Sequence, residues 1–254
     1  MRRTLMLSTF VLYTVLAMGQ ENNDAKKLYN EGNRKLNAGR YSEAITKYDA
    51  ALTIEKHEYY FYQKALALRR LKDEKSAIAV LRAALALNSD FAPAHHALGN
   101  AHATLRQYYE SISHFERALE LHPKLELARK GLAGAQTGHS LALIDSARYD
   151  EALQIARKAA VNDSSLYQPH LAAARALFNL GRYDEAIGEA ELSLQLSPSA
   201  QAHAYYEIGL SRKEKGDLAG AKKAFESAGN HASHDPDAAR EIRVIDSLQI
   251  EKGD

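Results

Sequence analysis

Histidine is the residue type in this chain best suited to metal binding or proton transfer, and the chain has 11 of them. His95 and His102 lie seven residues apart on one predicted helix face, where we favour core packing over metal binding. His231 and His234, followed by Asp235, could hold a metal ion in a loop, but this is a small ligand set. The His-Glu-x-x-His pattern of zinc hydrolases is missing. The histidines therefore predict no metal site.

Other catalytic patterns are missing as well. The chain has no cysteine, which excludes disulfides, thiolate zinc sites and cysteine nucleophiles. The stretch from Gly134 to Ser140 lacks the spacer and the lysine of a phosphate-binding loop, and there is no G-x-S-x-G motif. The sequence predicts a protein that is not an enzyme and has no cofactor. A metal-binding accessory protein or a cryptic hydrolase that uses the histidines is the less favoured alternative.

The composition is that of a folded helical chain without a charge preference for nucleic acid. Hydrophobic residues make up 46% of the 254 residues and charged residues 26%, and the formal net charge is +1. This is enough apolar material for a core, and no basic field is present to attract a polyanion. Five prolines and 14 glycines are few for this length, which favours long helices.

The first residues have the layout of a secretory signal peptide. Arg2 and Arg3 precede a mainly apolar run from Leu5 to Met18, and polar residues follow from Gln20. We therefore predict a signal peptide over residues 1–19 and export to the periplasm or the extracellular space. A membrane span needs about 20 apolar residues, so this run is short for one. An uncleaved anchor that leaves the chain facing the periplasm and a buried N-terminal helix are the alternatives.

A six-residue pattern, or hexad, with a central aromatic and a final alanine or serine occurs four times along the chain, and two weaker copies without the aromatic are Lys72 to Ala77 and Gly216 to Ala221. Its copies end at residues 44, 77, 111, 152, 186 and 221, so the spacings are 33, 34, 41, 34 and 35. A period near 34 is typical of solenoids that have one helix–turn–helix hairpin per repeat. The long spacing predicts an elongated helix over residues 125–146. This helix carries Gly131, Gly134 and Gly138, which we expect to permit close packing.

Each hexad is predicted to form the turn between the two helices of one hairpin. Its first residue ends one helix, its aromatic fills the gap between the helices, and its acid opens the next helix, where the helix dipole favours negative charge. The hexad ends in a small residue, and a second small residue follows seven positions later. Both allow the helices to approach closely. An apolar residue lies between these two in every repeat. In the first repeat these core positions are Ala44, Tyr48 and Ala51, and in the third they are Ser111, Phe115 and Ala118.

The chain resembles the tetratricopeptide repeat (TPR) family. The third repeat matches the family pattern with His95, Leu98-Gly99, His102, Ser111, Phe115, Ala118 and Pro123. The resemblance implies an all-α TPR solenoid, a right-handed superhelix of helix–turn–helix repeats followed by a C-terminal capping helix over residues 236–252. The implied repeats are residues 25–57, 58–91, 92–125, 126–166, 167–200 and 202–235.

In this family the first helix of each repeat lines a concave groove that binds peptides or proteins. The resemblance therefore implies a binding groove, and Tyr29, Tyr62 and Tyr206 are the groove residues that we most expect to contact a ligand. Rings supply contact area, and amide or guanidinium donors can pair with a peptide backbone. The groove positions in this sequence are Tyr29, Asn33, Tyr62, Gln63, Arg69, His96, Asn100, Arg175, Phe178 and Tyr206, with Gln168, His203 and Glu207 beside them.

The resemblance implies a non-enzymatic scaffold or adaptor of the cell envelope or secreted space, with a peptide or protein partner of unknown identity and no nucleic acid. A membrane-anchored assembly factor is the alternative if the N-terminal segment is retained. Some family members clamp the C-terminal carboxylate of chaperones with lysines, an arginine and asparagines. Only one clamp position matches in this chain, which argues against that partner. The residues at those positions are Tyr29, Asn33, Gln63, Pro93 and Ala97.

Overall fold

The computed structural model describes residues 23–231 and 236–252, and these ranges contain α-helices and one short 3-10 turn but no β-strand. The chain divides into two compact units, residues 1–128 and 129–254. The predicted signal peptide, and His234 and Asp235 of the weak metal candidate, lie outside the described residues. Within the described ranges, no helix combines the length and apolar character needed to cross a membrane.

The first unit consists of helical hairpins joined by short turns. Helix α3 packs against α2, α4 and α5, so that the first helices of neighbouring hairpins touch each other. The helices are α1 (residues 23–37), α2 (Tyr41–Ile54), α3 (Glu58–Arg70), α4 (Glu74–Leu87), α5 (Ala92–Thr104) and α6 (Tyr108–Leu121).

The second unit repeats this arrangement, and α9 packs against α8, α10 and α11. Its first helix, which begins three residues before the unit boundary, has 20 residues and confirms the predicted elongation. The elements are α7 (Glu126–Asp145), α8 (Tyr149–Asn162), α9 (Gln168–Asn179), α10 (Tyr183–Leu196), a 3-10 turn (Pro198–Ala200), α11 (Gln201–Glu214), α12 (Leu218–His231) and α13 (Pro236–Lys252).

Helix α13 is the predicted C-terminal cap. Its Ala238 and Ile245 are buried in one cluster with Phe225 and Ala228 of α12. Two ion pairs also hold α13: Glu241 pairs with Lys213 of α11 at 2.6 Å, and Asp246 pairs with Lys222 of α12 at 2.5 Å. The apolar face of α12 is therefore covered by a helix whose other side is polar, which is how solenoid ends are closed.

The hexad turns share one backbone geometry, which confirms the predicted helix stops. In each turn the first hexad residue adopts a left-handed conformation, with φ between +56° and +82°. The next amide then donates to the carbonyl five residues earlier, as Arg148 does to Leu143 at 2.9 Å. Glycine tolerates this conformation, whereas an L side chain pays about 1–2 kcal/mol. The residues are Gly39, Lys72, Arg106, Ala147, Gly181 and Gly216.

The predicted core positions of the second helices are buried in every hairpin. Tyr48, Phe115 and Phe225 are the largest side chains that are fully buried. Smaller apolar residues occupy the equivalent positions in the other hairpins, namely Leu81, Ala156 and Ala190. The expectation of close packing is wrong at Gly134, since a Cβ atom there would meet no heavy atom within 4 Å.

Candidate functional site

The histidines singled out by their spacing lie in the core. His95 Nε2 donates to the carbonyl of Ser89 at 3.0 Å, and His95 Nδ1 lies 3.2 Å from His114 Nδ1. His102 stacks on His114 with ring centroids 5.5 Å apart. Burial, the neighbouring histidines and Arg82 lower the pKa of His114 to about 4. Core packing of His95 and His102 is therefore confirmed.

Metal binding gains no support from the described part of the chain. There, no group of three or more histidine, aspartate or glutamate side chains is placed to hold a metal ion. The buried imidazoles instead pair with each other, with a carbonyl and with Gln107.

The first two predicted groove residues of the first unit are tied to the core. Tyr29 is half-buried and stacks on Tyr60, with ring centroids 4.8 Å apart and planes 28° from parallel. The carboxamide oxygen of Asn33 accepts a 2.7 Å hydrogen bond from the hydroxyl of Tyr48. Substitution of either residue would therefore disturb packing as well as any ligand contact.

Further along the same surface, α3 and α5 place rings beside polar groups. Tyr62 is half-buried with its ring edge-on to Phe91 at 5.7 Å, and burial raises its pKa. Burial lowers the pKa of His96, and the charge of nearby Arg69 adds to that effect. Asn100 Nδ2 lies 3.1 Å from His96 Nε2, so these two predicted residues form one polar group.

The remaining predicted residues of the first unit lie on the same helices. Gln63 is half-buried on α3. Arg69 donates from Nε to Glu74 at 2.9 Å. Arg69 also lines a cavity of about 610 Å³ beside the first hexad turn, together with Leu36, Asn37, Gly39, Tyr41, Leu66 and Arg70.

In the second unit, the two predicted aromatic residues pack against neighbouring rings. Phe178 lies 5.8 Å from Tyr183, and Tyr206 lies 5.6 Å from Phe225, measured between ring centroids. Both are half-buried, and burial is the largest cause of the raised pKa of Tyr206. Each ring therefore has one side in the core and part of its surface available to a ligand.

A pocket of about 300 Å³ opens between α7, α9 and α11, and we call it the Glu207 pocket. It brings together four polar residues that the sequence placed in the groove: Gln168, Arg175, His203 and Glu207. Sequence reasoning missed the rest of the lining, which is Leu141, Tyr167, Leu171 and Ala172. Leu141 comes from the extra turns of α7, so the long repeat spacing was the available signal.

Glu207 is the most buried charged residue of this pocket, with 3% of its surface exposed. Its Oε1 accepts from Arg175 Nε at 2.9 Å, but no described residue donates to its buried Oε2. Burial raises the pKa of the carboxyl, and the charge and hydrogen bond of Arg175 offset this only in part. A buried carboxylate oxygen without a donor is costly to stability.

The comparisons with known proteins agree with this fold. Family models described as tetratricopeptide repeat match residues 29–96 and 137–202, residues 92–125, and residues 202–228. One of these models alone covers more than half of the chain. The chain belongs to the tetratricopeptide repeat family.

Two curated relatives carry the repeat in their names. The small glutamine-rich tetratricopeptide repeat-containing protein 2 of Mycosarcoma maydis is 29% identical over 113 residues, 44% of this chain and 32% of the relative. A small glutamine-rich tetratricopeptide repeat-containing protein of Dictyostelium discoideum is 30% identical over 113 residues, 44% of this chain and 34% of the relative. The matched region therefore spans about a third of each relative.

Solved structures show the same fold at low sequence identity. YrrB, a TPR protein with an unusual peptide-binding site, superimposes with a TM-score of 0.58 at 21% identity, over 76% of this chain and 96% of YrrB. MamA from Desulfovibrio magneticus RS-1, solved from residue 41 to its end, superimposes with a TM-score of 0.55 at 15% identity, over 70% of this chain and 96% of that solved chain.

Proposed function

We propose that this chain is a non-enzymatic interaction scaffold that binds an extended peptide segment of a protein partner along the first helices of its hairpins. One observation carries the proposal: these helices present half-buried rings next to amide and guanidinium donors. In the first unit, Tyr62 lies near Arg69 on α3, and in the second unit Arg175 and Phe178 share α9. Rings contribute contact area at low entropic cost, and donors can pair with peptide carbonyls.

Membership of the TPR family supports this proposal, because the family is one of interaction scaffolds. YrrB shares the fold and has a peptide-binding site, so the fold is compatible with peptide binding.

The proposed location is the periplasm or the extracellular space, on the strength of the charged start and apolar run of residues 1–19. A membrane-anchored assembly factor is the second candidate, and the same apolar run is the observation that favours it. Mass determination of the N-terminus of the native protein separates the two. A chain that begins near Gln20 supports export with cleavage, and an intact Met1 with membrane-bound protein supports the anchor.

Peptide binding is tested with a library of random octapeptides and the full-length chain. A groove variant carries Gln63→Ala, Asn100→Ala and Arg175→Ala, which remove polar groups that are half-buried or exposed. A control variant carries Lys75→Ala, Glu116→Ala and Lys158→Ala, which remove exposed groups from second helices. We expect selected peptides to bind the groove variant at least about tenfold more weakly, about 1.4 kcal/mol, and the control normally. Equal binding by all three proteins, or no binder in the library, contradicts the proposal.

A further inference from the structure

One carboxylate oxygen in the Glu207 pocket has no hydrogen-bond donor in the described part of the chain. Glu207 Oε1 accepts a hydrogen bond from Arg175, while Oε2 is buried and receives no hydrogen bond from the described residues. The Arg175 side chain is 45% exposed, so water screens much of its charge. Burial raises the pKa of the Glu207 carboxyl, and the charges of Arg175 and His203 and the hydrogen bond from Arg175 offset this only in part. Glu207 Oε2 therefore lacks a donor, although Gln168, Arg175 and His203 line the same pocket. A cationic donor would compensate the buried charge best.

The walls of the pocket define the shape of the missing group. Leu141, Leu171 and Ala172 supply apolar surface, and Tyr167 adds a ring. A volume of about 300 Å³ is enough for one long side chain but small for a whole ligand of drug size. Lysine and arginine combine an apolar stem with a charged tip, and both commonly lay the stem on apolar surface.

We propose that the Glu207 pocket receives one lysine or arginine side chain of the bound peptide. Glu207 Oε2 has almost no accessible surface in the free chain, so the Glu207 side chain turns to present its carboxylate to the pocket. An N–H of the ammonium or guanidinium group then donates to this carboxylate, and the methylene stem packs on Leu141 and Leu171. This inference rests on the proposed function, since it assigns one residue of the same peptide. An acidic side chain would be repelled by Glu207, and a neutral amide would leave the buried charge uncompensated.

The test uses octapeptide pools in which one central position is fixed and the others are random. The fixed residue is lysine, arginine, glutamine, citrulline, norleucine or glutamate, and binding to the full-length chain is measured by fluorescence polarisation. We expect the lysine and arginine pools to bind at least tenfold better than the other four. Citrulline is the sharpest control, because it keeps the length and shape of arginine without its charge. Preference for any neutral or acidic pool, or equal binding of all pools, overturns the inference.

Two variants place the effect on Glu207. Glu207→Gln should abolish the preference for basic pools, so that the lysine and arginine pools bind this variant no better than the norleucine pool does. Glu189→Gln is the matched control, because Glu189 pairs with His170 in the same unit but does not line the pocket. It should keep the preference. A basic preference that survives in Glu207→Gln assigns the selectivity to another site and overturns the inference.

The outcomes separate the two proposals. Peptide binding without basic selectivity leaves the scaffold function standing and removes only the role of the Glu207 pocket. A second readout is the ¹³C resonance of the Glu207 side-chain carboxyl, identified by its loss in Glu207→Gln. Addition of a basic peptide should lower the pKa followed by this resonance, because a cation stabilises the carboxylate. An unchanged titration in the presence of a bound basic peptide contradicts the contact, and absence of binding by every pool overturns both proposals.

Discussion

Gly99 lies so close to Phe115 that a Cβ atom on the glycine would be 2.8 Å from the aromatic ring. The same relationship recurs where Gly32 faces Tyr48 and where Gly209 faces Phe225. All three rings are fully buried on second helices, and all three glycines lie on first helices. The small residue thus sets the distance between the two helices of a hairpin, and the ring fills the space beside it.

Gly99→Ala is expected to destabilise the first unit. Alanine gains about 1 kcal/mol of helix propensity over glycine, but crowding in a packed core costs about 1–3 kcal/mol. The Phe115 ring is fully buried, so the crowding should prevail. Urea unfolding followed by circular dichroism measures the change. Gly134→Ala is the control, because its Cβ meets nothing within 4 Å and should stabilise the chain by about 0.4–1 kcal/mol. Stabilisation by both substitutions would contradict the close contact.

Ala147→Gly is expected to stabilise the second unit. Ala147 has a φ of +57°, a conformation that costs an L residue about 1–2 kcal/mol and costs glycine little. Because glycine also gains freedom in the unfolded chain, we expect a net gain of about 0.5–1 kcal/mol. The reverse change, Gly181→Ala at a φ of +73°, should lower stability by a similar amount. Thermal unfolding of both variants checks this, and shifts of the same sign would refute the shared turn geometry.

Mild acid is expected to destabilise the first unit through His114. Its folded pKa is about 4, whereas an exposed histidine has a pKa near 6.5. Between these values the unfolded chain binds a proton that the folded chain does not, so stability falls as the pH drops from about 6.5 towards 4. His95, His102 and Arg82 oppose protonation of the ring and Glu110 favours it. In His114→Phe, unfolding free energies measured between pH 7 and 5 should show a smaller loss. An unchanged slope would show that other groups cause the acid sensitivity.

Repetition made much of the fold predictable from sequence. The hexad places a helix stop, an aromatic and a small residue at fixed offsets, and these offsets reappear as six turns of one geometry and a buried stripe on each second helix. Local rules determine both features, because the turn depends on backbone conformation and the stripe on helical periodicity. The length of α7 was predicted from the spacing between successive hexads.

The candidate site was less predictable because its properties depend on contacts between hairpins. Family positions pointed to Arg175 and Glu207, but not to the burial of Glu207 or to its unpaired oxygen. Those depend on tertiary packing in a pocket that is lined in part by Leu141 from the extra turns of α7. Gly134 was misjudged for a similar reason, since a stripe of small residues does not reveal whether a neighbour packs against it. Periodicity in the sequence identifies which face of a helix is buried. Which residues pack against that face depends on the tertiary structure.

Glu207→Gln is expected to leave the second unit as stable as before, or to make it more stable, at pH 7. The pKa of Glu207 is raised in the fold, so the unfolded chain loses this proton at a lower pH than the folded chain does. Stability therefore decreases as the pH rises above about 4.5, and the ionised group is a cost at neutral pH. The neutral amide removes that cost and can still accept from Arg175. Unfolding measured at pH 5 and pH 7 should show a smaller decrease for the variant than for the natural chain.

Glu185→Gln provides the opposite case in the same unit. Its carboxylate is exposed and pairs with Arg182 at 2.6 Å, which lowers its pKa, so its ionised form favours folding at neutral pH. That substitution should give no change or a small loss. A buried charged group whose removal costs no stability does not contribute to folding, which is the result expected if its missing donor comes from a ligand. If Glu207→Gln instead causes a large loss at pH 7, the carboxylate is a structural element of the fold, and the pocket beside it loses its argument for a ligand.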